Sequence, residues 1–274
     1  GFTLGSSGSH NTSTKTYASW TFRHSKKFFK SVTFSYGGSS ASPTVVTHDL
    51  GCTVGMAFVK QTNGTQNWHV QHKDVTGNGN NGALNLTIAF AGGNGQSTSF
   101  TSITDTQATF GAAASFPAGT YVAYFFADNS SEDADDQMIK CGSYTGSSSD
   151  VTVSLGWEPQ FVLIKNATSA SNWVVLDTLR GMPHGDGNSL VADSSAAENG
   201  VLGADNLVNP IADGFIAKSG KTATNQNSSS THIYMAIRAP MMKEPEAATE
   251  VFAIAAADST IPQHNSSFPV DMAM

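Results

Sequence analysis

An all-β fold, built from tandem antiparallel β-sandwich repeats of about 105 residues, is what this sequence predicts, and three observations predict it. Composition is the first. Only 13% of the 274 residues are charged, so the polar surface must come from Ser, Thr, Asn and Gly, which compete for backbone hydrogen bonds and favour turns and strand edges over helices. Second, short apolar or alternating runs of strand length are separated by Asn63-Gly64, Gly92-Gly93 and Asp213-Gly214. Third, the chain repeats itself. Leu50-Gly51-Cys52-Thr53-Val54-Gly55-Met56-Ala57-Phe58-Val59-Lys60 is echoed by Leu155-Gly156-Trp157-Glu158-Pro159-Gln160-Phe161-Val162-Leu163-Ile164-Lys165, an offset of 105 (155 − 50). The same offset carries Asn67-Trp68 onto Asn172-Trp173 without a gap.

Each element follows from these patterns. Tyr17, Ser19 and Thr21 alternate with Ala18, Trp20 and Phe22, the period of a half-buried strand. Related aromatic segments recur at Tyr121–Ala127 and His232–Arg238, so residues 1–25 are expected to be the closing strands of a preceding repeat. Residues 28–128 then form one sandwich and 137–239 another, joined across the acidic, solvated linker Asp128–Asp136. Within them Met56–Lys60 and Phe161–Lys165 are apolar enough for strands buried on both faces, and Ala83–Phe90 also reads as strand. Helical turns are expected at Ser194–Asn199 and near Ala247–Ala257. Residues 240–274 read as a connector to a following module, and the opening residues as the middle of a domain, so a piece of something longer is expected.

Charge narrows the function. A net charge of −7 with 14 scattered Lys and Arg argues against nucleic acid, whose phosphates require clustered cations. No apolar run is long enough to insert into a bilayer as a helix. Cys52 and Cys141 do not fall on equivalent repeat positions; a bridge between them stays open, with two buried free thiols the expected reading.

The residues of the second sandwich carry a resemblance. Tyr144-Thr145-Gly146, Leu155-Gly156, Pro159, Ile164-Lys165, Asn172-Trp173, Asp177, Arg180-Gly181 and Asp213-Gly214-Phe215 follow one motif. It resembles a tandem repeat module of large virion structural proteins of tailed phages, marine ones especially. The first sandwich keeps Leu50, Gly51, Lys60, Asn67 and Trp68, has His72 in place of Asp177, and lacks the Arg-Gly and Asp-Gly-Phe elements. The resemblance implies a tail or fibre component of a virion, extracellular in its setting. Its expected partners are copies of itself, other virion proteins and a host cell-surface glycan.

Candidate chemistry is sparse. Trp68 and Trp173 are the candidate glycan contacts, yet a large aromatic recurring at one repeat position is also what core packing requires. Asp177 and Arg180 are expected to form a structural ion pair that orders a loop. Gly77-Asn78-Gly79-Asn80-Asn81-Gly82 has the letters of a dinucleotide fingerprint without its strand–turn–helix context, so a mobile loop and no cofactor are expected. Glu132, Asp133, Asp135 and Asp136, or Asp186, Asn188 and Asp193, supply oxygen ligands without an EF-hand spacing, so no metal is assigned. No nucleophile motif or paired-carboxylate signature stands out, and no catalytic residue is assigned. Scaffolding with host-surface attachment is the leading expectation. A secreted carbohydrate-binding module comes second and a polysaccharide depolymerase third.

Overall fold

The apolar run at Val54–Gln61 cannot leave either face in water, and in the computed structural model it is the central strand of a five-stranded sheet. The structure describes residues 3–8, 11–75, 81–90, 99–111, 116–182, 187–226 and 229–240. Strands β1 (Phe29–Tyr36), β2 (Thr44–Thr47), β3 (Val54–Gln61), β4 (His69–His72), β5 (Gly82–Ala83), β6 (Phe100–Ile103), β7 (Gln107–Phe110) and β8 (Gly119–Ala127) make the first sandwich. One sheet has the order β1-β8-β3-β4-β5 and the other β2-β7-β6, all antiparallel.

The second sandwich repeats this wiring. Strands β9 (Ile139–Thr145), β10 (Val151–Ser154), β11 (Pro159–Asn166), β12 (Trp173–Asp177), β13 (Leu190–Val191), β14 (Val208–Ile211), β15 (Gly214–Ala217) and β16 (Thr231–Arg238) follow in the same sequence of roles. The sheet orders are β9-β16-β11-β12-β13 and β10-β15-β14. Strand β11 starts 105 residues after β3 (159 − 54), and β16 starts 112 after β8 (231 − 119), so loops absorb the drift. The repeated Leu-Gly pair has a backbone reason. Gly51 and Gly156 sit at φ of +76° and +89°, where a side chain strains the chain, and each follows a buried leucine.

Each sandwich packs its two sheets through aromatic contacts. In the first, Phe110 meets Phe34, Tyr36 and Tyr121 between the sheets; in the second, Phe215 meets Tyr144 and Tyr234. The two cores are not equivalent in extent. Phe161, Leu163, Trp173, Val175, Ile233, Met235 and Cys141 lie on the outer face of the second large sheet, yet they belong to the first sandwich's core cluster. The second sandwich therefore buries both faces of that sheet, one of them against the first.

Four expectations change. Residues 1–25 are not closing strands: the described ones make only an isolated bridge, Ser25 to Phe29. The segment is instead a strap held by side chains. Phe22 packs on Phe29 and Phe126 of the first sandwich, and Trp20 packs edge-on against Phe161 of the second. Ser194–Asn199 forms no helical turn. Of Ala83–Phe90, only Ala83 is in a strand. The acidic linker is also more closely held than a solvated connector. Asn129 is buried, its Oδ1 accepts from the Met138 and Ile139 N–H groups, and its Nδ2 donates to Asp136 O. Ala247–Ala257 lies outside the described residues, as do Gly77–Asn80, Gly92-Gly93, Asp186 and all of the connector after Pro240.

Candidate binding surface at the repeated lysine–tryptophan pair

Lys165 and Trp173 sit opposite each other on β11 and β12, on the outer face of the sheet. Trp173 is fully buried because the first sandwich covers it. Its Nε1 donates to Ala83 O at 2.8 Å, and Phe90 meets its ring in a T-shape at 5.8 Å. Lys165 Nζ donates to Thr87 O at 2.8 Å and also to Ser171 O, and lies 5.9 Å from the Trp173 ring centre. Two backbone bonds close the junction, Ser171 N to Thr87 O and Phe90 N to Ala167 O, each at 2.8 Å. The segment Leu84–Phe90 is thus a plug from one repeat seated on the next. Burial pushes the Lys165 ammonium down to about 8, and the two carbonyls satisfy it in place of water.

The first repeat carries the same receptor without the plug. The register of β3 on β4 ends at Val59 with His69, and carried one residue further it sets Lys60 against Trp68, as Lys165 is set against Trp173. Lys60 Nζ donates to Gln66 O as Lys165 does to Ser171 O. Asn85 holds Trp68 N–H and the Asn67 side chain, and Asp193 holds Trp173 N–H and the Asn172 side chain. Trp68 nonetheless is only half-buried, stacked on Tyr124 at 5.9 Å. Of the two candidate glycan contacts, Trp173 is therefore withdrawn: its ring fills a junction and its N–H is spent. Trp68 keeps a face open.

The Asp177–Arg180 pair has the structural role expected of it. Arg180 Nε donates to Asp177 Oδ2 at 2.7 Å, and its other nitrogens bind Glu198 and Val175 O. It also anchors the strap: Trp20 Nε1 donates to the same Asp177 oxygen, and the guanidinium lies 5.0 Å over the Trp20 ring. No sequence signal linked Trp20 to this pair, because the partners are 157 residues apart.

A cleft of about 510 Å³ opens beside Gly55, His72, Asn81, Phe100 and Asp105. His72 and Lys73 in its wall are engaged. His72 Nδ1 accepts from Asp74 N–H, which leaves Nε2 to donate to Tyr234 O across the junction. Lys73 pairs with Asp74 and Asp128. Burial lowers His72 and His69 to about 4, so both rings stay neutral. Cys52 and Cys141 are both buried free thiols, and burial raises each above its ordinary range. Among the described residues no three His, Cys, Asp or Glu side chains gather to hold a metal ion, and Glu132 instead pairs with Lys27.

No curated protein and no solved structure matches the chain. A family model does match, over residues 1–240, which takes in the strap and both sandwiches. The chain accordingly belongs to the family described as Domain of unknown function (DUF7483).

Proposed function

We propose that this chain is a structural component of a phage virion, in the tail or a fibre, which acts by scaffolding and host-surface contact and performs no chemistry of its own. The observation that supports this reading is the junction. Trp173, Lys165 and the plug Leu84–Phe90 fuse two sandwiches through a buried, largely backbone-directed contact. Such a contact transmits force along a tandem array without a hinge, and weak surface sites repeated along it gain avidity. The test is location. Gold-labelled antibodies against this chain should decorate the tail or fibres of intact particles in electron micrographs. Purified particles free of both the label and the peptides would sink the proposal.

A second reading has one specific observation in its favour. Trp68 and Tyr124 form a half-exposed aromatic stack, the feature that a carbohydrate-binding surface requires.

A further inference from the structure

The receptor at Lys60 and Trp68 has the form of an occupied one, and no described residue fills it. Among the described residues nothing accepts from Trp68 Nε1 or Gln66 N–H, and nothing donates to Thr62 O. Their counterparts Trp173 Nε1, Ser171 N–H and Ala167 O are all taken by the plug of the first repeat. The frame around them is otherwise the same: Thr62 N donates to Thr120 O, as Ala167 N donates to Thr231 O.

The second repeat, in turn, carries a counterpart of the plug that no described residue outside that repeat receives; its Glu198 accepts from Arg180 of the same repeat. Ala192 N donates to Trp173 O as Leu84 N does to Trp68 O, and Ser194 N donates to Val191 O as Leu86 N does to Ala83 O. Counting on from these pairs, a shift of 108 (192 − 84), Val191 O stands where Ala83 O does. Ser195 O stands at the place of Thr87 O, and Glu198 at that of Phe90. Ala192, Ser194, Ser195 and Ala197 are exposed.

We infer that the Lys60–Trp68 face docks a second copy of this chain, head to tail, through the 191–198 segment of that copy. Trp68 Nε1 then donates to Val191 O, and Lys60 Nζ and Gln66 N–H donate to Ser195 O, so the contact inside each chain recurs between chains. Because these acceptors are backbone carbonyls, the change of side chains between the two plugs leaves most of the contact intact. The missing ring does not: Glu198 replaces Phe90, and the contact between chains is weaker than the one within. A heterologous contact of this kind leaves one free receptor and one free plug at each step, and so builds assemblies larger than a dimer, a ring where the rotation closes and a filament where it does not. The inference rests on the scaffolding reading and names the surface that carries it.

Sedimentation velocity on the full chain, from about 10 µM to about 1 mM, should show association that grows with concentration and does not stop at a dimer. Glu198→Phe restores the ring and should tighten association about tenfold or more. A Gln66→Cys, Ser195→Cys double variant, which keeps Lys60, Trp68 and the backbone groups of the contact, should on treatment with a short bis-maleimide give a ladder of covalent dimers, trimers and longer species, where either single variant gives dimers at most. Monomers throughout, with Glu198→Phe included, would overturn the inference, and so would a closed dimer without the ladder. A soluble glycan that quenches Trp68 in a chain that stays monomeric would assign the face to sugar instead. A monomer whose antibodies still decorate the particle would leave the scaffolding reading standing and remove only this docking.

Discussion

His69 illustrates what burial does to one side chain. It points between the sheets of the first sandwich, meets Phe116 edge-on at 4.9 Å, and has no hydrogen-bond partner on either nitrogen among the described residues. Burial first, and then the charge of Lys60, push it from 6.5 to about 4. The sign of the consequence follows. Between these values the unfolded chain binds a proton that the folded chain refuses, so stability falls as pH drops from about 6.5 to about 4. At roughly 1.36 kcal/mol per pH unit the loss across that window is about 3 kcal/mol. Urea unfolding of the wild type and of His69→Leu at pH 7 and pH 4 should show a smaller acid loss in the variant by that amount. Equal losses would mean that the ring is protonated in the folded state.

At the scale of the element, the two lysine–tryptophan hairpins are the same structure in two surroundings. Trp173 lies under a plug and Trp68 does not, so their truncations should differ. Trp173→Ala removes a fully buried ring and is expected to cost about 3–5 kcal/mol, while Trp68→Ala, half in water already, should cost about 1–2 kcal/mol. Chemical denaturation midpoints measure both, and equal costs would show that the plug adds nothing. The plug is also where the sequence reads least faithfully. Leu84, Leu86, Ile88 and Phe90 alternate with Asn85, Thr87 and Ala89, which is the pattern of a strand. The alternation serves a different purpose: Phe90 packs on the next repeat and Thr87 offers it a carbonyl. The counterpart, Ala192–Glu198, has no such alternation, which is the one sign that a sandwich strand was not being specified.

For the whole molecule, one core runs from the first sandwich through the outer face of the second. Two domains that share a core should unfold together, so calorimetry should show a single transition whose calorimetric and van't Hoff enthalpies agree. Phe90→Ala, which removes a buried ring from the junction at a cost of about 3–5 kcal/mol, should split it into two. If the wild type already shows two transitions, the junction is weaker than its contacts imply. The strap adds a second tie, since Phe22 is seated on one sandwich and Trp20 on the other.

The sequence by itself determined the all-β class, the tandem repeat, the buried strands β3 and β11 and the loop-ordering Asp177–Arg180 pair. Each of these is written in local periodicity, in self-similarity or in residues three positions apart. Tertiary structure decided the rest. It made a strap of residues that alternate like a strand, because a strand needs a free sheet edge and here the anchors are side chains on two different sheets. It also separated Trp68 from Trp173, which the repeat makes identical. Burial belongs to whatever lies on top of a residue, and only one of the two tryptophans has a preceding sandwich in this structure to cover it.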